Sequence, residues 1–494
     1  MLFSELFGPA LGVFALLWIS ALAITRPAVR KNSSAGIALA CAAFYAIVLI
    51  DDPSLLAWLL FMTAIGTAAL LPRSAFDHSG RWAWRLIWLA VFGLFRPIVD
   101  LTRLSRLPSR GGATGRNLAS LVALPLIGGA VFIALFANAN PVLSQALSRI
   151  RLPDAFSSAG HIVLWGVVLV IVWPTLRPRT FKLGRPHEPM FAPTIPVGTL
   201  VLTLITFNAI FAIQNVLDIV FLWSGAALPE GVTLADYAHR GAYTLIATAL
   251  LAAGFVLVTL HPGSAAANRP LMRKLLILWI AQNILLVASS ILRLFDYIEA
   301  YSMTVLRLSA FAWMVLVAIG LVLICWRLLA GRSAGWLINA NSIAAAVVLS
   351  LASVVDLGAV SAAWNVRETG AAGGVDLCYL NRLGPSALIP LIELESSIAD
   401  PERREQVTYL RHQAMTALEG AQSDWRSWSW RGARRYEQAL DMLGSAPERP
   451  RVGPHGRKCD GSLRPPPEIA PPLPSEPDYP QAPEEGLLTN SGEE

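Results

Sequence analysis

Charge is what this sequence has least of. Only 15% of its 494 residues are charged, against about a quarter in an ordinary soluble domain, while 55% are hydrophobic. A single water-soluble core cannot bury that much apolar surface. The motifs of soluble nucleotide and metal chemistry are missing as well. There is no G-x-x-x-x-G-K-[ST], no G-x-G-x-x-G after a strand, no C-x-x-C and no H-E-x-x-H. The seven histidines scatter over loops, span edges and tail, so no cofactor and no metal site is implied. The amino terminus, "MLFSELFGPALGVFALLWIS", lacks a basic n-region and a clear cleavage site, and is read as a span instead of a secretory signal. Nor do the apolar runs alternate with polar residues as lipid-facing strands do.

What is present is a series of long apolar runs, such as "IVLWGVVLVIVW" and "WMVLVAIGLVLICW", which with their flanks approach the roughly 20 residues a helix needs to cross a bilayer. The fold class expected is all-α: a polytopic transmembrane bundle of about ten spans with a small helical, partly disordered carboxyl-terminal tail. The spans are placed at 11–24, 36–50, 55–71, 117–137, 161–176, 195–222, 241–260, 275–291, 305–326 and 336–357. The net charge of +6 does not point to nucleic acid, because the basic residues lie in short segments between apolar runs. Arg26, Arg30 and Lys31 follow the first span and nothing basic precedes it. The positive-inside rule then puts both termini outside and the bilayer as the first partner. Segment 81–110, with Trp82, Trp84, Trp88 and flanking arginines, fits an interfacial or re-entrant element better than a crossing, which would move three basic loops outside.

The transmembrane domain is expected over 1–360, a small extracytoplasmic helical region over 361–445, and a proline-rich disordered end over 446–494. In the helical region "DPERREQVTYLRHQAMTALEG" reads as a helix capped by Asp400 and closed near Gly420, and "DWRSWSWRGARRYEQALDMLG" as another with Asp424 near its start and Gly444 past its end. Trp425, Trp428 and Trp430 pack this region or dock on headgroups, glycan or a periplasmic protein partner. Cys41 and Cys325 are small packing residues within spans. Cys378 and Cys459 share the tail, in an oxidising compartment on this topology, and could form a disulfide, although Cys459 sits in flexible sequence.

The polar residues inside the spans carry what functional signal there is. Asn208, Asn215 and Asp218 share one face of the sixth span. Tyr237 and Arg240 enter the seventh, Arg293, Asp296, Tyr297 and Arg307 sit around the turn between the eighth and ninth, and Asp356 ends the tenth. Together they describe an outer-leaflet pocket for an anionic or zwitterionic ligand, such as a lipid headgroup or envelope precursor. Equally, they can pair merely to lock the bundle. Gln282, Asn283, Asn339 and Asn341 extend a polar path or hydrogen-bond between helices.

The stretches "YAHRGAYTL", "ILRLFDYIEAYSMTVLRLSAFAWM" and "NVRETGAAGGVDLCYLNRLGPSALIPLIEL" resemble an uncharacterised family of bacterial multipass inner-membrane proteins, domain of unknown function 4173. Tyr237, Arg240 and Gly241 match its pattern, as do Arg293, Tyr297, Tyr301, Thr304 and Arg307, then Asn365, Asp376, Tyr379 and Leu380. Ser302 and Met303 depart from the Gly-Leu of that pattern. The resemblance covers 195–394, with little in the amino-terminal spans, and implies a bacterial inner-membrane location with no established activity. The leading expectation is a non-enzymatic transporter-like or sensor/scaffold protein. The alternatives are a membrane-embedded transferase or hydrolase acting on a lipid-linked substrate, with Asp218 or Asp296 as general base, and a structural subunit that recruits a periplasmic partner through its tail.

Overall fold

Apolar runs bounded by capping residues dictate helices. The computed structural model describes residues 9–104, 155–179, 196–223, 251, 269–369, 374–444, 448–451 and 455–465. Among these the regular structure is helical, apart from one isolated bridge between Arg457 and Leu463.

The first group comprises α1 (Pro9–Thr25), α2 (Pro27–Lys31), α3 (Ser33–Asp51), α4 (Leu55–Leu70), α5 (Ser79–Gly93), α6 (Arg96–Leu104) and α7 (Ala155–Leu176). Asn32, Ser54 and His78 cap α3, α4 and α5 by accepting the amides of Ala35, Ala57 and Gly80, which a helix start otherwise leaves open. On α3 the residues Ala38, Ala42 and Ala46, one turn apart, are buried, and a β-carbon on Gly12 of α1 would fall 2.7 Å from the Ala46 carbonyl oxygen. Such close backbone approach is how helices associate where the surroundings supply no hydrophobic drive. Cys41, on the same helix, is exposed and not a packing residue.

The second group is α8 (Val197–Asp218, continued by a π-helical turn over Ile219–Trp223), α9 (Pro270–Tyr301), α10 (Val305–Ala330) and α11 (Ala334–Val354). The third is a tail unit: α12 (Leu357–Thr369), α13 (Leu377–Leu383), a 3-10 turn (Gly384–Ala387), α14 (Leu388–Ser397), α15 (Pro401–Ser423) and α16 (Trp430–Leu443), around a core that includes Leu380, Leu388, Leu391, Val407 and Leu410. Cys378 and Cys459 form a disulfide in it.

Eight of the ten expected spans fall on described residues and are helical there, while those at 117–137 and, apart from residue 251, at 241–260 lie outside them. Five helices, α3, α8, α9, α10 and α11, are long and apolar enough to cross a membrane. The apolar helices α1 and α4, and the Val163–Leu176 part of α7, are shorter. A count of ten is therefore not reached by length and composition.

Contacts sort the helix ends into two sets. At one, Arg26 after α1 donates to the Ala69 carbonyl of α4 (2.8 Å), Arg96 of α6 to the Arg177 carbonyl after α7, and Arg273 of α9 to the Leu329 carbonyl of α10 (2.7 Å). Arg30, Lys31, Arg73 and Arg332 adjoin this basic end in sequence. The amide and hydroxyl of Ser79, opening α5, both donate to Asn339 Oδ1 near the start of α11 (2.8 Å each), and Gly93, closing α5, abuts Pro174 near the end of α7. Both ends of α5 thus meet neighbours near their basic ends. The opposite end carries Asp51, Asp52 and Asp356, and towards it the hydroxyls of Tyr45 on α3 and Ser350 on α11 lie 2.7 Å apart. Between α8 and α9, Asn208 bonds Leu275, Asn215 bonds Gln282 and Trp223 bonds Ser289, these three at a separation of 66 or 67 residues. A constant offset means parallel helices, so the two ends that residues 224–268 join lie on opposite sides of the layer.

One departure concerns the far tail. Where the composition reads as a disordered end, residues 455–465 carry a turn held by the Cys459 disulfide and by Arg457, which pairs with Glu405 (2.5 Å) and lies 4.8 Å over the Tyr409 ring. Covalent and ionic ties, not an apolar core, order it, which is why hydrophobicity does not reveal it.

Candidate functional site

Three polar constellations hold the residues singled out above. The first lies between α8 and α9. Asp218, 2% exposed, accepts at Oδ1 from Gln214 Nε2 (2.9 Å) and from the guanidinium of Arg293, itself 10% exposed. Helical periodicity aligns Asn208 and Asn215 with it. Asn208 bridges to the Leu275 carbonyl and receives Gln282 Nε2 (3.3 Å), and Asn215 reaches the Gln282 carbonyl (3.3 Å). Asp218 Oδ2, Asn215 Oδ1 and Gln282 Oε1 are buried without a hydrogen-bond partner among the described residues. All three are acceptors. What this stretch leaves open suits a donor or cation, and does not by itself suit an anion.

The second is the turn between α9 and α10. The chain reverses within Ser302–Thr304, and Thr304 caps α10 by accepting the Arg307 amide. Arg307 does not reach Asp218. Its guanidinium donates to the carbonyls of Tyr301 (2.6 Å) and Ser302 and lies 4.1 Å over the Tyr297 ring. It satisfies carbonyls that the end of α9 leaves open and complements the helix dipole there. The turn is gripped from the tail unit. Asn365 of α12 accepts the Met303 amide (2.6 Å) and donates to the Met303 carbonyl (2.9 Å), and Tyr379 Oη of α13 accepts the Val305 amide (2.9 Å). Asp376 caps α13 on the Tyr379 amide (3.0 Å), and Leu380 is fully buried.

Ser302 has φ 69° and ψ 162°, and no other described non-glycine residue has a positive φ. That region belongs essentially to glycine. The substitution Ser302→Gly is therefore expected to stabilise the protein by about 1 kcal/mol, read as a higher midpoint in thermal unfolding of the detergent-solubilised chain. An unchanged or lower midpoint would mean that the seryl side chain contributes more than its backbone costs.

The third constellation locks the tail unit to the acidic end. Asp356 caps α12 through the Ala359 amide (2.9 Å), accepts from Ser386 (3.0 Å) and pairs with Arg435 of α16 (2.5 Å). Burial alone would raise its carboxyl, but the Ala359 amide, Arg435 and Ser386 together hold it below the usual carboxylate range. One turn earlier on α16, Arg431 binds Asp51 (2.9 Å), Asp52 (2.7 Å) and the Val354 carbonyl (2.6 Å), and Arg434 also reaches Asp51 (2.5 Å).

The expected single pocket is thus divided. Asp218 and Arg293 are joined, whereas Arg307 with Tyr297 and Asp356 with Arg435 belong to separate sites. Asp296 is exposed and forms no ion pair among the described residues. Tyr237 and Arg240 lie outside them. Gln282 joins α8 to α9, but Asn339 ties α11 to α5, and Asn283 and Asn341 bond the Trp279 and Leu337 carbonyls of their own helices, so these four form no single path. Sequence reasoning passed over Arg431, Arg434 and Arg435 as partners. Their i, i+3, i+4 spacing on one helix face, set against the acidic pair Asp51–Asp52 at a span end, was the available signal.

Neither a curated protein nor a solved structure matches the chain. The family model of a domain of unknown function, DUF4153, matches residues 35–394. It is this family, and not domain of unknown function 4173, that is found, and the match begins within α3, well ahead of where the resemblance started. The chain belongs to the DUF4153 family.

Proposed function

We propose that this DUF4153 protein is a multipass membrane scaffold of the bacterial inner membrane, non-enzymatic, which holds a helical tail unit in fixed register over its spans on the extracytoplasmic side. The observation that carries the reading is the grip of Asn365 on both backbone groups of Met303, backed by Tyr379 on Val305. Asn365 and Tyr379 are spent on joining two parts of one molecule. An anion pocket would need Arg293 or Arg307 available. One is committed to Asp218 and the other to carbonyls at the helix turn. The transferase or hydrolase alternative needs a carboxylate free to act as base; Asp218 is held in its ion pair, so this alternative falls to Asp296, which is exposed.

The orientation follows from the basic end being cytoplasmic. Ten crossings remain the proposed count, supported by the two described ends that flank 224–268, which lie on opposite sides. Within the expected segment 81–110, α5 is interfacial in this scheme, since both its ends meet the basic end. A sensor role, in which a periplasmic partner or an envelope precursor acts on the tail unit, is compatible with the same joint.

Reporter domains fused after Arg332 and after Arg367 test the arrangement, with cytoplasmic and periplasmic readings expected respectively. Two cytoplasmic readings would overturn the orientation and with it the scaffold's side. Loss of function in Arg307→Ala with the protein and its tail unit intact would restore the ligand-pocket reading.

A further inference from the structure

A different feature lies at the basic end, away from the tail unit. There α4, α5 and α7 enclose an apolar cleft of about 480 Å³, walled by residues that include Thr63, Gly66, Leu86, Ala90 and Pro174. Leu89 lines this cleft and also an adjoining cavity of about 240 Å³, whose walls include Arg85, Trp88, Arg96 and Arg179. The two spaces meet at Leu89, one apolar, the other rimmed by guanidinium groups.

Those groups are in excess over what neutralises them. Arg96 donates to an uncharged partner, the Arg177 carbonyl. Burial, then Arg179, push its pKa down and Arg73 adds to this, with Asp100 alone acting the other way. Asp100 in turn already accepts from the Trp173 indole (3.0 Å) and faces Arg177 (3.7 Å). Arg85 approaches Asp77 only at 3.3 and 3.5 Å, in competition with Arg81 at 3.1 Å. Its buried Nε has no hydrogen-bond partner among the described residues. Among the described residues, two carboxylates, Asp77 and Asp100, thus stand against six guanidinium groups.

We propose that this cleft binds an anionic phospholipid of the leaflet on the basic side, with an acyl chain between α4, α5 and α7 and the headgroup phosphate against Arg85, Arg96 and Arg179. The apolar space asks for a hydrocarbon chain and its rim for an anion, and guanidinium groups match phosphate oxygens in a bidentate manner. A zwitterionic headgroup would bring a further cation into a cluster that already has too many. A free phosphate would leave the apolar space empty. The proposal requires α4 and α7 to lie in the bilayer but is independent of the scaffold reading, because its measured quantity is lipid selectivity and not the location or attachment of the tail unit.

The test uses the full chain in mixed micelles containing phosphatidylglycerol or phosphatidylcholine, with retained lipid counted by native mass spectrometry. Each interfacial arginine is worth about a fivefold factor for an anionic lipid. The double variant Arg96→Gln, Arg179→Gln is therefore expected to lose about 25-fold in phosphatidylglycerol retention, keeping only the roughly fivefold preference that Arg85 supplies. Thr63→Trp, on an exposed position of the cleft wall, is expected to reduce retention of phosphatidylglycerol while leaving every arginine in place. Helical circular dichroism and gel filtration confirm that each variant is folded, and the second keeps the test decisive if the first is not. Equal retention of the two lipids by the unmodified chain, unchanged phosphatidylglycerol retention in a folded variant, or displacement of the lipid by millimolar inorganic phosphate would each overturn the proposal.

Discussion

Replacing Arg293 by alanine is expected to destabilise the protein by about 3–5 kcal/mol, because it strands the Asp218 carboxylate in a buried site between two helices. Asp218→Ala should be comparably severe, stranding the guanidinium. Replacing both at once, Asp218→Leu with Arg293→Met, should recover most of the loss, since well-packed apolar residues are often at least neutral in place of a buried pair. Unfolding midpoints of the detergent-solubilised chain, followed by tryptophan fluorescence, give the comparison. A double variant as unstable as either single one would show that the pair does more than cancel its own burial. The single variants should also lower the amount of protein in the membrane. Normal amounts with a specific functional defect would return Asp218 and Arg293 to the status of a working site.

The second large effect lies in the tail unit. The Cys378–Cys459 bond closes 81 residues of separation, and on the chain-entropy argument a loop of that size contributes about 4–5 kcal/mol by restricting the unfolded chain. Cys378→Ala, or reduction, is expected to remove about that much from the unit, chiefly by releasing residues 455–465, which are then held by Arg457 through Glu405 and Tyr409 and by the Asn381 bond to the Cys459 carbonyl (3.0 Å). Faster cleavage by trypsin after Arg457 or Lys458, with the spans still inserted, is the sign to look for. The oxidised chain should run faster than the reduced one on a non-reducing gel. Equal mobility and equal cleavage would show that the bond does not form in the membrane-embedded protein.

Much of the fold was legible because its physics is local. Apolar runs and basic loops marked out helices that the structure places almost where expected. In the tail, Asp400 with Pro401 and Gly444 delimit helix ends as their chemistry dictates. Two boundaries shifted for identifiable reasons. Gly420 does not end α15, which continues to Ser423, because no left-handed residue is needed there. Asp424 does not begin α16. It instead closes a turn by accepting the amides of Arg426, Ser427 and Trp428, and leaves the cap to Ser429. The site was less legible. Charges at similar depth suggested one cluster, yet which arginine meets which aspartate depends on partners about 380 residues apart, such as Arg431 with Asp51, and no periodicity encodes that. The pairing of Asp218 with Arg293 was within reach because both residues lie on helices whose faces could be drawn from sequence.

The 32 residues of α9 measure about 48 Å, well beyond the roughly 30 Å of hydrocarbon in a bilayer. The surplus is rigid, so the distance from membrane to tail unit is set by a helix and not by a linker, and length there is tied to phase. Deleting one residue from the outer part of α9 would lower its tip by only about 1.5 Å but turn it by about 100°, carrying the Met303 backbone out of the reach of Asn365. The joint therefore tolerates changes of a whole helical turn better than changes of one residue, a constraint of the kind a key has in its lock, set in angle before it is set in depth.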